Sequence, residues 1–301
     1  MKIIKPTDVT TAMLASSTAS EDDYAEYNPS ATYAVDARCI SSITHRIYQS
    51  IVNDNVGNDP TLPGSAQEWM DVGPTNRWAM FDNVVGTVTS VAAQLIIELN
   101  PGPVSGIALM EIVGETAVIS MKSAPGGTVV YSKTIDLEGS LVTSVYDWFF
   151  QPLEQRRNVI FTDLPWHYFA PELTISISSS SSGVECGVCK LGEVIEIGSS
   201  EYGATSGIID YSIKRKDDFG AYTFLERGYS KRATFHIETD AVDYPRISRA
   251  LASLRVIPCV YIGTELAHYE PLVIYGKYND FSINVAYATT NYCSLDIEGL
   301  I

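Results

Sequence analysis

The chain has 301 residues, of which 46% are apolar, and it carries a formal net charge of −16. This apolar content is enough to bury the cores of two or three domains, which excludes a largely disordered chain. The negative charge argues against nucleic acid as a partner, because a phosphate backbone is bound by clustered Lys and Arg side chains.

The first 20 residues are mostly small and polar, and Pro6, Thr7 and Asp8 interrupt any apolar core of a signal peptide. Apolar stretches further along, such as "VVGTVTSVAAQLIIEL", contain Gly or Thr and are too short to span a bilayer. We therefore predict an N-terminal arm over residues 1–20, synthesis in the cytoplasm and no membrane insertion.

Residues 21–75 combine two strand-like segments, a polar loop and spaced aromatic residues. Tyr27, Tyr33 and Tyr48 lie in "YNPSATYAVDARCISSITHRIYQSI", and Pro60 and Trp69 lie in "NDPTLPGSAQEWMDVG". This order resembles the small chitin-binding-type carbohydrate-binding modules. The resemblance implies a small three-stranded module in which Tyr48 and Trp69, and then Tyr27 and Tyr33, stack on sugar.

The module also departs from that pattern. Residues 34–37 replace the usual Gly-Asp turn, and the loop after Tyr48 lacks the exposed aromatic pair on which such modules stack sugar. The alternative is that the four aromatic residues form the module's own core, because a fold of about fifty residues has little else to bury.

Residues 76–199 alternate apolar and polar positions between turn signals, as in "LTISIS" at 173–178, and predict a jelly-roll-like β-sandwich. Its larger aromatic residues could line a groove, but core packing is the favoured interpretation. They are Trp78, Trp148, Phe149, Phe150 and Trp166.

Five scattered cysteines predict reduced, buried thiols rather than a disulfide framework. Cys186 and Cys189 form a CxxC motif, but no second CxxC or histidine pair accompanies it, and its surroundings predict strand and turn. Two strand residues are therefore favoured over metal or redox chemistry at this pair.

Residues 200–301 predict a β-sandwich or barrel with one flanking helix. The segments "IDYSIKR", "RATFHIET" and "DFSINVAYA" alternate like strands, and "KRKDDFG" predicts a hairpin turn with a charged rim. A helix is predicted over 243–256, with Asp243 as its N-cap and Ile247, Leu251 and Leu254 on one face.

The sequence contains no recognisable catalytic motif. The four histidines are dispersed, and the sequence contains no GxSxG, P-loop or GxGxxG motif. We therefore expect no enzyme activity, no metal and no cofactor. A glycan-cleaving enzyme would need a carboxylate pair facing a groove, and the sequence does not display one.

Two further segments resemble proteins of bacteriophage tails. "VGPTNRWAMFDN" resembles a junction found in tail-associated proteins of bacteriophages, and the region from "KRKDDFGAYTFLERGYSKRATFHIE" to the end resembles phage tail proteins of the tail-tube type. The resemblance implies a structural virion protein of a phage or prophage tail, near the tip or baseplate. Its partners would be copies of itself, other tail proteins and host carbohydrate. The alternative is an adhesin or receptor-binding protein acting through the N-terminal module.

Overall fold

The computed structural model describes residues 1–137, 144–150, 155–180, 183–216, 220 and 222–300. Its strands and α-helices, in chain order, are β1 Lys2–Pro6, β2 Leu14–Ser17, β3 Arg38–Ser41, β4 Arg46–Ser50, β5 Trp69–Pro74, β6 Thr89–Val91, β7 Gln94–Leu99, β8 Gly106–Val113, β9 Thr116–Lys122, β10 Val129–Asp136, α1 Val145–Phe150, β11 Val159–Phe161, β12 Glu172–Ser178, β13 Val184–Glu196, β14 Ser199–Ser200, β15 Thr205–Asp210, β16 Ile213–Lys216, β17 Tyr222–Leu225, β18 Tyr229–Asp240, α2 Tyr244–Ser253, β19 Cys259–Ile262, β20 Val273–Asn284 and β21 Thr290–Gly299.

The described residues form a mainly-β fold with one flanking helix, as predicted. An 11-stranded sheet has the order β11-β8-β13-β1-β19-β20-β21-β18-β14, with β15 also pairing β18 and β6 pairing β13. A five-stranded sheet has the order β10-β9-β12-β7-β2. Strands β3, β4 and β5 form a sheet of their own, and so do β16 and β17.

The five-stranded sheet packs on the β8–β13 part of the large sheet as a sandwich. Strict alternation in β9 and β12 sends Ile119 and Ile175 inward, where they share a core with Ile97, Ile107 and Leu109. The alternating pattern seen in the sequence is therefore the physical cause of this layer.

Helix α2 packs on the same face of the large sheet, beyond the sandwich, and buries Ile247, Leu251 and Leu254 as predicted. Asp243 occupies the N-cap position, as predicted, but its side chain caps no backbone N–H and its carboxylate instead accepts a hydrogen bond from Arg246 Nε at 3.1 Å. The helix ends at Ser253 rather than at residue 256.

The opposite face of the large sheet carries a third apolar cluster that includes Ile4, Met110, Val188, Val260 and Tyr275. The sheet curls around this face. Its two ends approach closely enough for Glu111 Oε1 of β8 to lie 3.8 Å from Lys231 Nζ of β18.

The predicted N-terminal arm is wrong for residues 2–6 and 14–17, which form β1 and β2, and β2 pairs with β7. Strand β1 pairs with β13 on one side and β19 on the other. Ile3 and Ile4 point to opposite faces and are fully buried in two different cores. Two adjacent isoleucines therefore insert the N-terminal segment between strands of the predicted middle and C-terminal blocks, and one sheet runs through both.

Among the described residues, no helix is both long enough and apolar enough to cross a membrane.

Candidate functional site

The three-stranded sheet brings the four predicted sugar-contact residues together. Trp69 and Tyr48 are 4% and 7% exposed and form a small cluster with Cys39, against which Tyr27 and Tyr33 pack. The Trp69 indole N–H donates to the Asn58 carbonyl at 2.8 Å. The ring of Trp69 is therefore fixed inside the module.

The rings pack on one another in aromatic-pair geometry. Tyr33 meets Trp69 edge to face with centroids 5.0 Å apart, Tyr27 meets Trp69 in the same way at 6.0 Å, and the two tyrosines stack at 5.9 Å. These four residues are a core, so the surface they offer a sugar is limited to the half-exposed parts of Tyr27 and Tyr33.

A polar cluster joins the module to the rest of the chain. His45, in the turn between β3 and β4, lies with Nδ1 2.7 Å from Glu21 Oε1 and Nε2 3.0 Å from Thr11 Oγ1. Arg77 Nη1 lies 3.5 Å from Glu21 Oε2, and the His45 ring stacks on Trp78 with centroids 4.2 Å apart. Sequence reasoning missed this cluster because its members are dispersed along the chain.

A hydroxyl, an imidazole and a carboxylate bonded in series are also the parts of a nucleophilic triad. Here the Glu21 and His45 side chains are mostly buried, and the imidazole stacks on Trp78. The cluster therefore links the β3–β4 turn of the module to residues 11, 77 and 78.

The CxxC pair lies in β13, and all five cysteines are free and buried. Cys186 and Cys189 both enter the sandwich core, although residues three apart in a strand normally face opposite sides. The alternation of inward and outward side chains along β13 reverses at Gly187. An added Cβ at Gly187 would lie 2.9 Å from the Cβ of Glu111. The backbone of Glu111 is itself in the left-handed region, at φ 51°.

Burial raises the pKa of the Cys186 thiol well above its ordinary value and that of Cys189 to about 12. Both thiols are therefore protonated at neutral pH, and a thiolate is the form that binds metal or attacks a disulfide. Across the described part of the chain, no group of three or more His, Cys, Asp or Glu side chains is placed to hold a metal ion.

The large aromatic residues of the middle block differ in how far they are exposed to solvent. Trp78 is buried, but Phe149, Phe150 and Trp166 are exposed, so core packing is wrong for these three. The side chain of Trp148 lies outside the described residues. Phe149 and Phe150 belong to the short helix α1, which is too short to hide several rings on one face.

One cleft, of about 390 Å³, opens on the concave face of the large sheet. Its floor includes Met110, Val188 and Tyr275, and its rim carries Glu111 between Arg157 Nη1 at 3.6 Å and Lys231 Nζ at 3.8 Å. Because the rim charges largely cancel, this cleft favours no particular charge on a ligand.

Strands β16 and β17 form a hairpin that belongs to neither large sheet. Its tip, the "DDFG" region, lies outside the described residues except for Gly220. Tyr222, Phe224 and Leu225 are exposed, Phe224 by 73%, and Lys214 Nζ lies 3.9 Å from the centroid of the Tyr222 ring. The sequence predicted the turn and its charges, but not that the aromatic residues beside it face water.

The polar face of β18, β20 and β21 carries four acidic side chains, with the cations Arg232 and Lys277 opposite one of them, Glu298. Asp280 and Asp296 are directly opposed on neighbouring strands, so both carboxylates lie on the same side of the sheet. Glu298 and Glu238 lie on this face too, by the alternation of their strands. Hydrogen bonds from Asn279 and Tyr211 lower the pKa of Glu298 and keep it charged. We call these four residues the acidic sheet face.

No protein-family model matches the chain. No curated protein and no solved structure matches it either.

Proposed function

We propose that this chain is a structural protein that assembles with copies of itself, as a component of a phage or prophage tail near its tip or baseplate. The observation that carries the proposal is the hairpin of β16 and β17. A two-stranded hairpin is marginally stable in water on its own, and this one exposes Tyr222, Phe224 and Leu225. A neighbouring molecule that covers these side chains would stabilise the hairpin.

Charge favours a second copy as that neighbour. Strand β16 carries Lys214, Arg215 and Lys216 on a chain whose net charge is −16. The acidic sheet face supplies the complement, since it places the like charges of Asp280 and Asp296 opposite each other on neighbouring strands, where a cationic partner would be favoured. A hairpin of one copy on the acidic sheet face of the next makes a head-to-tail contact, which closes into a ring when the rotation permits.

The assignment to a phage tail rests on the sequence resemblance and on this capacity to assemble. A virion component made in the host cytoplasm must stay dispersed before assembly, and a large net negative charge opposes premature association. The partners proposed are other tail proteins and copies of this chain. Binding of host carbohydrate by the module remains a prediction, and the burial of Trp69 and Tyr48 does not favour it.

Oligomeric state tests the assembly. Analytical ultracentrifugation and negative-stain imaging of the wild-type chain should show rings or higher oligomers that dissociate as salt is raised, because the contact is between exposed charges. The double variant Lys214→Glu, Lys216→Glu should shift the population to monomer. Adding Asp280→Lys and Asp296→Lys to it should restore the oligomer.

The matched control is Lys133→Glu, which reverses an exposed lysine on β10, far along the chain from the hairpin, and should leave the oligomer unchanged. A wild-type chain that stays monomeric at all accessible concentrations would contradict assembly. Absence of the chain from the tails of purified virions, by immunogold labelling, would contradict the tail assignment without touching the self-association.

A further inference from the structure

A second cleft, of about 640 Å³, is lined by a separate set of residues. Its walls come from the N-terminal end of β1, from residues 198–204 and from residues 262–272. Its volume falls within the roughly 300–1,000 Å³ typical of ligand sites. None of the residues predicted from the sequence to contact sugar lines it.

The floor of this cleft is apolar and tightly packed. Phe235 of β18 is fully buried beneath it, with Leu272 beside it. At Gly263 an added Cβ would lie 2.4 Å from the Phe235 ring, so only glycine allows the loop to approach this closely. Ser200 Oγ donates to the Gly263 carbonyl at 2.6 Å and ties the two walls together. The cleft is therefore a fixed feature of the fold.

The lips carry exposed aromatic rings. Tyr202, on the first loop, is 99% exposed, and Tyr269, on the second, is also exposed. A tyrosine ring offers an apolar face with a hydroxyl at its end, which suits a ligand that is apolar on one side and polar at its edges. A pyranose ring has this character, with C–H groups on its faces and hydroxyls around its rim.

The polar groups of the cleft are held in place. Lys2 Nζ donates to Glu265 Oε1 at 2.7 Å and to Thr162 Oγ1 at 3.1 Å. Burial acts to raise the pKa of Glu265, but hydrogen bonds from Lys2 and Thr162 hold it below its ordinary value, so the carboxylate stays charged. A fixed carboxylate and ammonium can accept from and donate to neighbouring hydroxyls of one sugar.

The charges that line the cleft restrict the class of ligand that it can bind. Glu201 and Glu265 line the cleft beside two cations, Lys2 and the N-terminal ammonium of Met1, so the local charges largely cancel, and the net charge of −16 on the chain disfavours an anionic ligand. A peptide added as a strand would need a long free edge, and β14 at the cleft wall has two residues. From the aromatic lips, the fixed polar pair and the charge, we propose that this cleft binds a neutral oligosaccharide.

This inference goes beyond self-association, and its test does not depend on the oligomeric state. The wild-type chain would be titrated with neutral trisaccharides (cellotriose, maltotriose and the trimer of N-acetylglucosamine) and with anionic sialyllactose, and binding followed by saturation-transfer NMR and calorimetry. We expect saturable binding of at least one neutral trisaccharide and none of sialyllactose. Tyr202→Ala should weaken it at least about tenfold, as truncation of an aromatic anchor does.

Tyr287→Ala, at an exposed tyrosine in the turn between β20 and β21, is the matched control and should leave the affinity unchanged. Because Tyr202 is almost fully exposed, its truncation should leave the thermal unfolding midpoint unchanged. The proposal would be overturned by a failure of all three neutral sugars to bind, or by binding that Tyr202→Ala leaves intact. Binding that is lost in Tyr33→Ala instead would assign the sugar to the N-terminal module, and selective binding of sialyllactose would also overturn it.

Discussion

Two hairpins of this chain use aromatic residues in opposite ways. The β3–β4 hairpin gains a third strand, β5, and its sheet encloses Tyr48 and Trp69. In the described part of the chain the β16–β17 hairpin gains no third strand, and Tyr222 and Phe224 stay in contact with solvent beside Lys214. An aromatic residue on a strand is therefore not by itself a sign of binding, because a closing strand decides whether the ring stabilises the fold or remains available to a partner.

The largest expected effect is a loss of stability in the three-stranded module that contains the first hairpin. Trp69→Ala removes the ring that Tyr27 and Tyr33 pack against and should cost about 3–5 kcal/mol, which is enough to unfold a module of this size. Phe224→Ala should change the free energy of unfolding by less than about 0.5 kcal/mol, because the side chain is exposed.

Urea denaturation and limited proteolysis between residues 21 and 75 would measure the two variants. A Trp69→Ala chain that resists protease as the wild type does would show that the ring is not a core residue. That result would return Trp69 to the sugar-binding hypothesis.

A smaller effect is expected in the dependence of the module's stability on pH. Burial, followed by the charges of Glu26 and Asp59, raises the pKa of the Cys39 thiol from 9.0 to about 11. Because the folded module holds this proton more tightly than the unfolded chain does, the stabilisation is fully present below pH 9. It is lost as the pH rises from 9 toward 11.

The module should therefore become easier to unfold as the pH rises from 9 toward 11, measured by protease susceptibility between residues 21 and 75. In Cys39→Ala the dependence on pH should be weaker. An equally steep dependence in that variant would contradict the assignment to the thiol.

The smallest effect concerns the second hairpin. Lys214→Met removes the contact of the ammonium with the Tyr222 ring, which is worth about 0.5–1 kcal/mol at exposed sites. Amide hydrogen exchange in β16 and β17 should then accelerate roughly two- to fivefold, while amides of β3 and β4 in the same molecule serve as the internal control. Unchanged exchange in β16 and β17 would show that this cation does not order the hairpin.

Sequence pattern by itself determined the fold class, because alternation of apolar and polar residues is a local property. "LTISIS" became β12, "RATFHIET" lies within β18, and the apolar face of "ISRALASL" became the buried face of α2. The four aromatic residues of the module were singled out by the resemblance to carbohydrate-binding modules, and the structure does bring all four together.

Only the tertiary structure decided which of these side chains are covered. The sequence cannot show that Ile3 and Ile4 fill two cores from a central strand, because their neighbours β13 and β19 lie about 190 and 260 residues further along the chain. The same holds for Tyr202 and Phe235, whose places at the lip and floor of one cleft depend on non-local pairing of strands. Alternation says which residues share a face, and burial depends on what the rest of the chain, or another molecule, places upon that face.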